Sequence, residues 1–289
     1  MNIILCHIGK QLPHHIHDCI TQIRRVSPAK IYLVTDAVYE QNQGVEVVPI
    51  KSVRHNPLLS KISRKLYLKG FWDVTLRRLF CVMAVAKHLE LKDILHIEND
   101  VLLLKNPMSL VVGLRDIANG GVALTPVGPK HASAAYMFSH TSEGLEELCD
   151  IMLTHIKYGE EILKGHIDSD SIDEMQLLAH IAQEHTAYIG YLPVLHSGLG
   201  SWHSSVFDDE FLFDGASYGQ WLGGIPHKEG IPWAGRHHYV GAQILDGNVS
   251  VEMGTMNGRP TPYVIQGDNR SALCNLHVHA KTKMKEFME

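Results

Sequence analysis

Four short apolar runs, each closed by a turn signal, restrict this chain to a layered α/β arrangement. Ile3 to Cys6 stands at the very start and reads as a central strand. Pro13 then opens a segment in which Ile16, Ile20 and Ile23 recur at helical spacing, and Ser27-Pro28 ends it. Ile31 to Val34, closed by Thr35-Asp36, is a second strand, and Val45 to Val48, stopped by Pro49, is a third. Strand, helix and strand at this spacing make a right-handed βαβ unit and a largely parallel sheet. Val74, Leu79, Val82, Met83 and Ala86 predict a long helix over 71–89, feeding a fourth strand at Ile94 to Ile97.

Between the third strand and that helix, residues 51–70 are basic and irregular, with Lys51, Arg54, Lys61, Arg64, Lys65 and Lys69. They read as a solvated loop or as a lid over an anionic ligand that keeps water out. In the second half, Gly120 to Leu124 and Ala134 to Phe138 read as strands, and Glu143 to Lys157 and Asp173 to Glu184 as helices. After Tyr191 the chain is rich in Gly, Pro, His and aromatic residues, the composition of loops around a site. No internal repeat and no low-complexity linker divides the chain, so one compact unit is expected.

Composition narrows the function classes. A net charge of -5 over 289 residues leaves no electrostatic footprint for nonspecific nucleic-acid binding. The five cysteines, Cys6, Cys19, Cys81, Cys149 and Cys274, are scattered and form no CxxC pair, which speaks against a disulfide framework or a zinc cage and for a reducing compartment. No apolar run reaches membrane-span length and the N-terminus lacks the marks of a signal peptide, so a soluble cytoplasmic protein is expected. Twenty histidines are an excess, but abundance alone makes no metal site.

Two segments carry chemistry of their own. Leu95 to Leu102 puts Glu98 and Asp100 at the end of an apolar run. Carboxylates are rarely buried without a charged partner. At the end of a parallel strand, where open α/β sheets bind ligands, that partner is often a divalent cation shared with phosphates; the plainer account is an acidic strand end. Near the C-terminus, His277 and His279 are two apart and share a face if the segment is a strand. Either imidazole suits Mn²⁺ as a further ligand, and Lys281 can meet a phosphate as a point charge. His279 is favoured because Lys281 lies so near it, with His277 as its competitor.

The βαβ start running into an acidic strand end resembles the GT-A class of nucleotide-sugar glycosyltransferases, with Glu98-Asn99-Asp100 as a variant of that class's Asp-x-Asp motif. Three more segments resemble a subset found in bacteria and large viruses, which implies a bacterial or virus-infected cell. They are Thr75-Leu76-Arg77-Arg78-Leu79-Phe80; Phe213-Asp214-Gly215-Ala216 with Gly219-Gln220-Trp221-Leu222-Gly223-Gly224; and Asn275-Leu276-His277-Val278-His279-Ala280-Lys281. Three departures stand out: Ala280 where relatives often have Ser, Arg77 where they are often acidic, and Ile225-Pro226 where an acidic residue is common.

The resemblance implies a Rossmann-like, mostly parallel α/β sheet flanked by helices, with a loop-rich acceptor half. Residues 1–130 would form the nucleotide-sugar-binding half; 131–289 would form the acceptor-binding half with a C-terminal metal- and phosphate-binding segment. It implies a hexosyltransferase-type enzyme that moves a sugar from a nucleotide donor, UDP first, to a glycan or other hydroxyl acceptor, with Mn²⁺ or Mg²⁺. Asp100 would ligate the metal, and Glu98 the metal, a metal-bound water or the ribose. His7, Asp36, Arg78, Asn99, Gln220, Gly223 and Lys281 would line the donor site. Asp214 would bind sugar hydroxyls or act as a base, unless it merely forms a turn. Asp173 or Glu174 would contact donor sugar or acceptor, although a helix dipole explains one of them. The C-terminal His-and-Lys arrangement resembles glycogenin-type retaining enzymes. The rival readings are a sugar nucleotidyltransferase, for which Gly9-Lys10 is a thin phosphate loop, and a non-catalytic binding relative.

Overall fold

A computed structural model describes residues 1–40, 44–65, 71–164, 173–196, 211–223, 241, 244 and 249–288. Its centre is a seven-stranded sheet in the order β3-β2-β1-β4-β7-β6-β8. The strands are β1 (Asn2–Cys6), β2 (Lys30–Val34), β3 (Val45–Val48), β4 (Lys92–Ile97), β6 (Val122–Gly128), β7 (His131–Thr141) and β8 (Ile189–Tyr191). β7 runs antiparallel to both its neighbours, and every other pairing in the sheet is parallel, so β7 alone runs against the rest. The carboxyl ends of β1, β2 and β4 therefore meet at one edge, where His7, Asp36 and Glu98 leave their strands.

Alternation along the strands sorts the core into two layers. Ile3, Leu5, Ile31, Leu33, Leu95 and Ile97 face helix α1 (His15–Val26), whose Ile16, Ile20 and Ile23 are fully buried. Ile4, Cys6, Tyr32, Val34 and Ile94 face helices α2 (Pro57–Lys65), α3 (Phe71–His88), α5 (Ser142–Lys164) and α6 (Glu174–Glu184). Helix α4 (Val111–Ala118) joins the first layer through Leu114 and Ala118.

Two expectations for irregular structure are corrected. Residues 57–65 are helical, because Leu58, Leu59 and Ile62 recur on one buried face while Lys61 stays exposed. They pack on the core, which a free lid does not do; residues 66–70 lie outside the described part. Much of the segment after Tyr191 that is described is also ordered. Strands β9 (Val249–Met256), β10 (Arg259–Gln266) and β11 (Asn269–Ala272) form an antiparallel meander on the α1 side, where Val249, Val251, Tyr263 and Val264 enter the core. No described helix is long and apolar enough to cross a membrane.

Candidate metal centre

The site begins where β4 ends. Glu98 N–H donates to Ala135 O on β7 (3.0 Å), and Val101 N–H donates to Glu98 O (3.1 Å), so Glu98-Asn99-Asp100 is a tight turn into β5 (Val101–Leu103). Helix α1 holds β5 in place: Gln22 Nε2 donates to Leu103 O (2.8 Å), and Cys19 Sγ lies 3.2 Å from Val101 O. The last strand, β12 (Asn275–His277), pairs antiparallel with β5 in a register that sets His277 opposite Val101. Val278 N–H then donates to Asp100 O (2.9 Å). Register alone thus carries a histidine from the end of the chain to the acidic turn.

The result is a compact group of three donors. Glu98, Asp100 and His277 each offer an atom within 4.8 Å of the others'. His277 Nε2 lies 3.4 Å from Asp100 Oδ1 and 3.7 Å from Glu98 Oε2. Its Nδ1 sits 2.6 Å from Gly215 O, the hydrogen bond that fixes a ligating imidazole with Nε2 turned toward the metal. Two carboxylates and one imidazole suit Mn²⁺ or Mg²⁺. Among the described residues His277, rather than the favoured His279, is the imidazole that groups with Glu98 and Asp100. β12 ends at His277, and His279 Nε2 faces Gln220 Nε2 at 3.3 Å while its Nδ1 is buried without a hydrogen-bond partner. The two rings do share a side, 4.3 Å apart.

Cations balance the carboxylates. Lys281 Nζ, half-exposed, lies 3.1 Å from Asp100 Oδ2. Burial opposes ionisation of Asp100, but the His277 imidazole and the Lys281 ammonium hold it well below the usual carboxylate range. Burial likewise opposes an imidazolium at His277, yet Asp100 and Glu98 raise it to about 9. His279, desolvated beside that charge, is pushed down to about 4. Arg78 donates to Glu98 and reaches Glu174 Oε2 at 3.5 Å. Its Nη2 is therefore shared between two carboxylates. Burial lifts Glu174 to about 6 against the pull of Arg78.

The remaining expected residues separate into scaffold and cavity. Asp214 is fully buried. Its Oδ1 accepts from the N–H groups of Ser217 (2.8 Å) and Tyr218 (3.0 Å), and its Oδ2 from those of Gly219 (2.8 Å) and His277 (2.9 Å). That corrects the reading of Asp214 as a base or a sugar ligand, because both oxygens are committed to backbone. Asn275 locks the same turn, donating to Asp214 O (2.7 Å) and accepting from Asp214 N–H (3.2 Å). Asp173 caps α6 by a capping box with Gln176, which leaves Glu174 as the acidic residue that reaches the site. In helix α7 (Tyr218–Gly223), Gln220 is buried and donates to Ala216 O (2.6 Å). Gly219, not Gly223, makes the close backbone approach, since a Cβ on it would lie 1.9 Å from His277 O. At Gly223 the nearest atom would be 3.6 Å away and belongs to Ala280, an ordinary contact; Gly224 lies outside the described residues.

Past the carboxyl ends of β1 and β2 lies a cavity of about 730 Å³, walled by Ile8, Gly9, Lys10, Asp36, Arg54 and Arg77 among others. Asp36 is held there by Lys51 N–H (3.1 Å) and Arg54 (3.2 Å). His7 joins β1 to this wall; its N–H donates to Val34 O (2.9 Å) and its Nε2 is buried without a hydrogen-bond partner. Asn99 Nδ2 lies 3.4 Å from Cys6 O, tying the acidic turn to the same strand end. Arg77, one residue from Arg78, reads as a solvated helix charge in the sequence, but it lines the cavity and pairs with Asp73 at 3.0 Å.

No family model and no curated protein matches the sequence. Among solved structures the chain is similar to mouse xyloside xylosyltransferase 1, with a TM-score of 0.50 at 9% identity over 67% of this chain and 86% of that one. It is also similar to the galactosyltransferase LgtC in complex with donor and acceptor sugar analogues, with a TM-score of 0.43 at 11% identity over 67% and 73%. The glycosyltransferase GlyE of Streptococcus pneumoniae gives 0.40 at 12% identity over 66% and 44%. Identities this low speak to fold only, and of the three the xylosyltransferase is near enough to do so. The fold is of the GT-A glycosyltransferase type.

Proposed function

We propose that this chain is a metal-dependent glycosyltransferase that moves a sugar from a nucleotide donor, UDP-linked, to a hydroxyl of a glycan or similar acceptor. The observation that carries the reading is the meeting of Glu98, Asp100 and His277 at the carboxyl edge of a parallel sheet, beside a cavity of about 730 Å³. Open α/β sheets bind ligands at that edge. Glu98, Asp100 and His277 would hold the divalent ion, Mn²⁺ or Mg²⁺, which when bound offsets negative charge on a departing diphosphate.

The chain's own residues account for the other requirements. Lys281 is half-exposed on the Asp100 side and offers a mobile ammonium to a phosphate oxygen. Lys10, Arg54 and Arg77 give the cavity a cationic wall, while Ile8, Ile50 and Leu59 give it apolar surface for a base. Arg78 keeps Glu98 ionised and aligned by pairing it against Glu174. Glu174, held near 6 beside Arg78, is the carboxylate we assign to the donor sugar or the acceptor. Retention at the anomeric carbon is the outcome we adopt, from the C-terminal His-and-Lys segment. All five cysteines are free and buried, in keeping with a reducing cytoplasm.

The test is donor hydrolysis and transfer. The chain is incubated with Mn²⁺ and a panel of UDP-, GDP- and CMP-sugars, and the released nucleotide and product anomer are read by NMR. Release from a UDP-sugar that stops on chelation supports the reading. Nucleotide binding without any turnover on hydroxyl acceptors would shift it to a non-catalytic binding protein.

A further inference from the structure

A second cluster of ligating side chains lies away from the acidic turn, where α5 and α6 meet. His155 on α5 puts Nε2 3.5 Å from Glu184 Oε2, and His180 on α6 puts Nε2 3.5 Å from Glu184 Oε1. His180 and Glu184 are four apart and so share a helix face. His185 is the residue that ends α6, its N–H still donating to Ile181 O, with φ of -118° and ψ of 47° outside the helical region. Freed from the helical period, its ring comes beside the others. His155, Glu184 and His185 each offer a donor atom within 4.8 Å of the other two. The His155 ring stands edge-on to both His180 (5.2 Å) and His185 (6.3 Å). No residue of this cluster has a part in the donor site.

We propose that His155, Glu184 and His185, with His180 as a further donor, form a separate metal centre that takes a borderline transition-metal dication, Zn²⁺, and ties α5 to α6. Three imidazoles and one carboxylate are a softer, more nitrogen-rich set than Glu98, Asp100 and His277, and tetrahedral Zn²⁺ is the ion such a set selects. With bonds of about 2.0–2.1 Å, adjacent ligand atoms of a tetrahedral site lie roughly 3.3 Å apart. The His155–Glu184 separation of 3.5 Å already approaches that edge, the other donors of the group lie within 4.8 Å, and His180 meets the second oxygen of the same carboxylate at 3.5 Å. The competing account is a set of histidines stabilising a helix C-terminus, which requires them charged. His155 argues against it, because it lies within α5 rather than at the end of α6 and turns its Nε2 to the Glu184 carboxylate at 3.5 Å. Glu184 is exposed at 47%, so an ion has an open way in.

The experiment uses the full chain carrying Asp100→Ala, so that metal at the acidic turn cannot be mistaken for metal here. After chelator stripping it is offered one equivalent of Zn²⁺ in competition with a chromophoric chelator, and separately one equivalent of Co²⁺ for its ligand-field absorption. The expected result is uptake of one Zn²⁺ per chain, a tetrahedral Co²⁺ spectrum and a raised thermal midpoint. Adding His155→Gln or His185→Gln should abolish all three while the metal-free midpoint stays within a degree or two. Should His155→Gln fail to fold, the exposed Glu184→Gln decides. No Zn²⁺ uptake by the Asp100→Ala chain, or undiminished uptake after the histidine substitutions, overturns the proposal. Neither readout depends on the glycosyltransferase reading, whose failure leaves this one standing.

Discussion

Replacing Asp214 by asparagine separates a scaffold carboxylate from a catalytic one. Each carboxylate oxygen accepts two backbone N–H groups, at 2.8 to 3.0 Å, from Ser217, Tyr218, Gly219 and His277. Asparagine keeps the shape but turns one oxygen into an NH₂ group. Whichever way it is oriented, two buried donors lose their acceptor and face another donor. Hydrogen bonds to a charged group contribute about 1.5–3 kcal/mol each, so the loss is about 3–6 kcal/mol. Against a total stability of about 5–15 kcal/mol that is large but compatible with a folded chain in the cold. Equilibrium urea unfolding followed by near-UV circular dichroism measures it. Either orientation loosens the turn that holds His277 through its N–H and through Gly215 O, so Mn²⁺ affinity should fall about 10- to 100-fold, the usual effect of releasing a ligand's support. A variant with wild-type stability and wild-type Mn²⁺ binding, impaired only in turnover, would refute this reasoning and restore Asp214 as a participant in the chemistry.

Other perturbations test neighbouring links. Gly219→Ala drives a Cβ to 1.9 Å from His277 O and should cost at least about 1–3 kcal/mol in urea unfolding, whereas Gly223→Ala, with 3.6 Å to spare, should be near neutral. Arg78→Met leaves Glu98 and Glu174 without their shared cation and should cost about 3–5 kcal/mol by the same measurement. Glu174 titrates near 6 in the fold against 4.5 when free, so the native state binds more protons between those values and loses stability as pH rises through them. Glu174→Gln lacks that loss, and its stability relative to wild type should improve by about 2 kcal/mol from pH 4 to pH 7. His277→Gln should abolish Mn²⁺ binding in a calorimetric titration, while His279→Gln should keep it within a few-fold; the opposite order would return the ligand to His279.

The parallel core was legible because its first strands are short, mostly apolar runs that stop at polar residues or proline, and α1 carries a clean helical period. The acidic turn was legible for the same reason: Glu98-Asn99-Asp100 separates two apolar runs, Ile94 to Ile97 with His96 within it and Val101 to Leu104. The meander after Tyr191 was hidden because β10 begins Arg259-Pro260-Thr261-Pro262; β10 is the middle strand, but β11 pairs only with Tyr263 to Gln266, so both prolines fall where one flank has no partner strand. Helix α2 was hidden by its basic face, although Leu58, Leu59 and Ile62 hold the period. The choice between His277 and His279 is a matter of register with β5, a contact across more than a hundred and seventy residues that local pattern does not encode. The role of Asp214 is likewise non-local, since one of its four donors comes from β12. Arg77 faces the cavity while Arg78 faces Glu98 and Glu174, because adjacent helix positions point about 100° apart.

The most direct test of the central claim is calorimetric titration of UDP into the wild-type chain and into Asp100→Ala, each with and without Mn²⁺. The account predicts UDP binding to wild type that requires Mn²⁺, and no binding to Asp100→Ala under either condition. UDP binding that is indifferent to Mn²⁺ and to Asp100, or no binding by wild type at all, would contradict it.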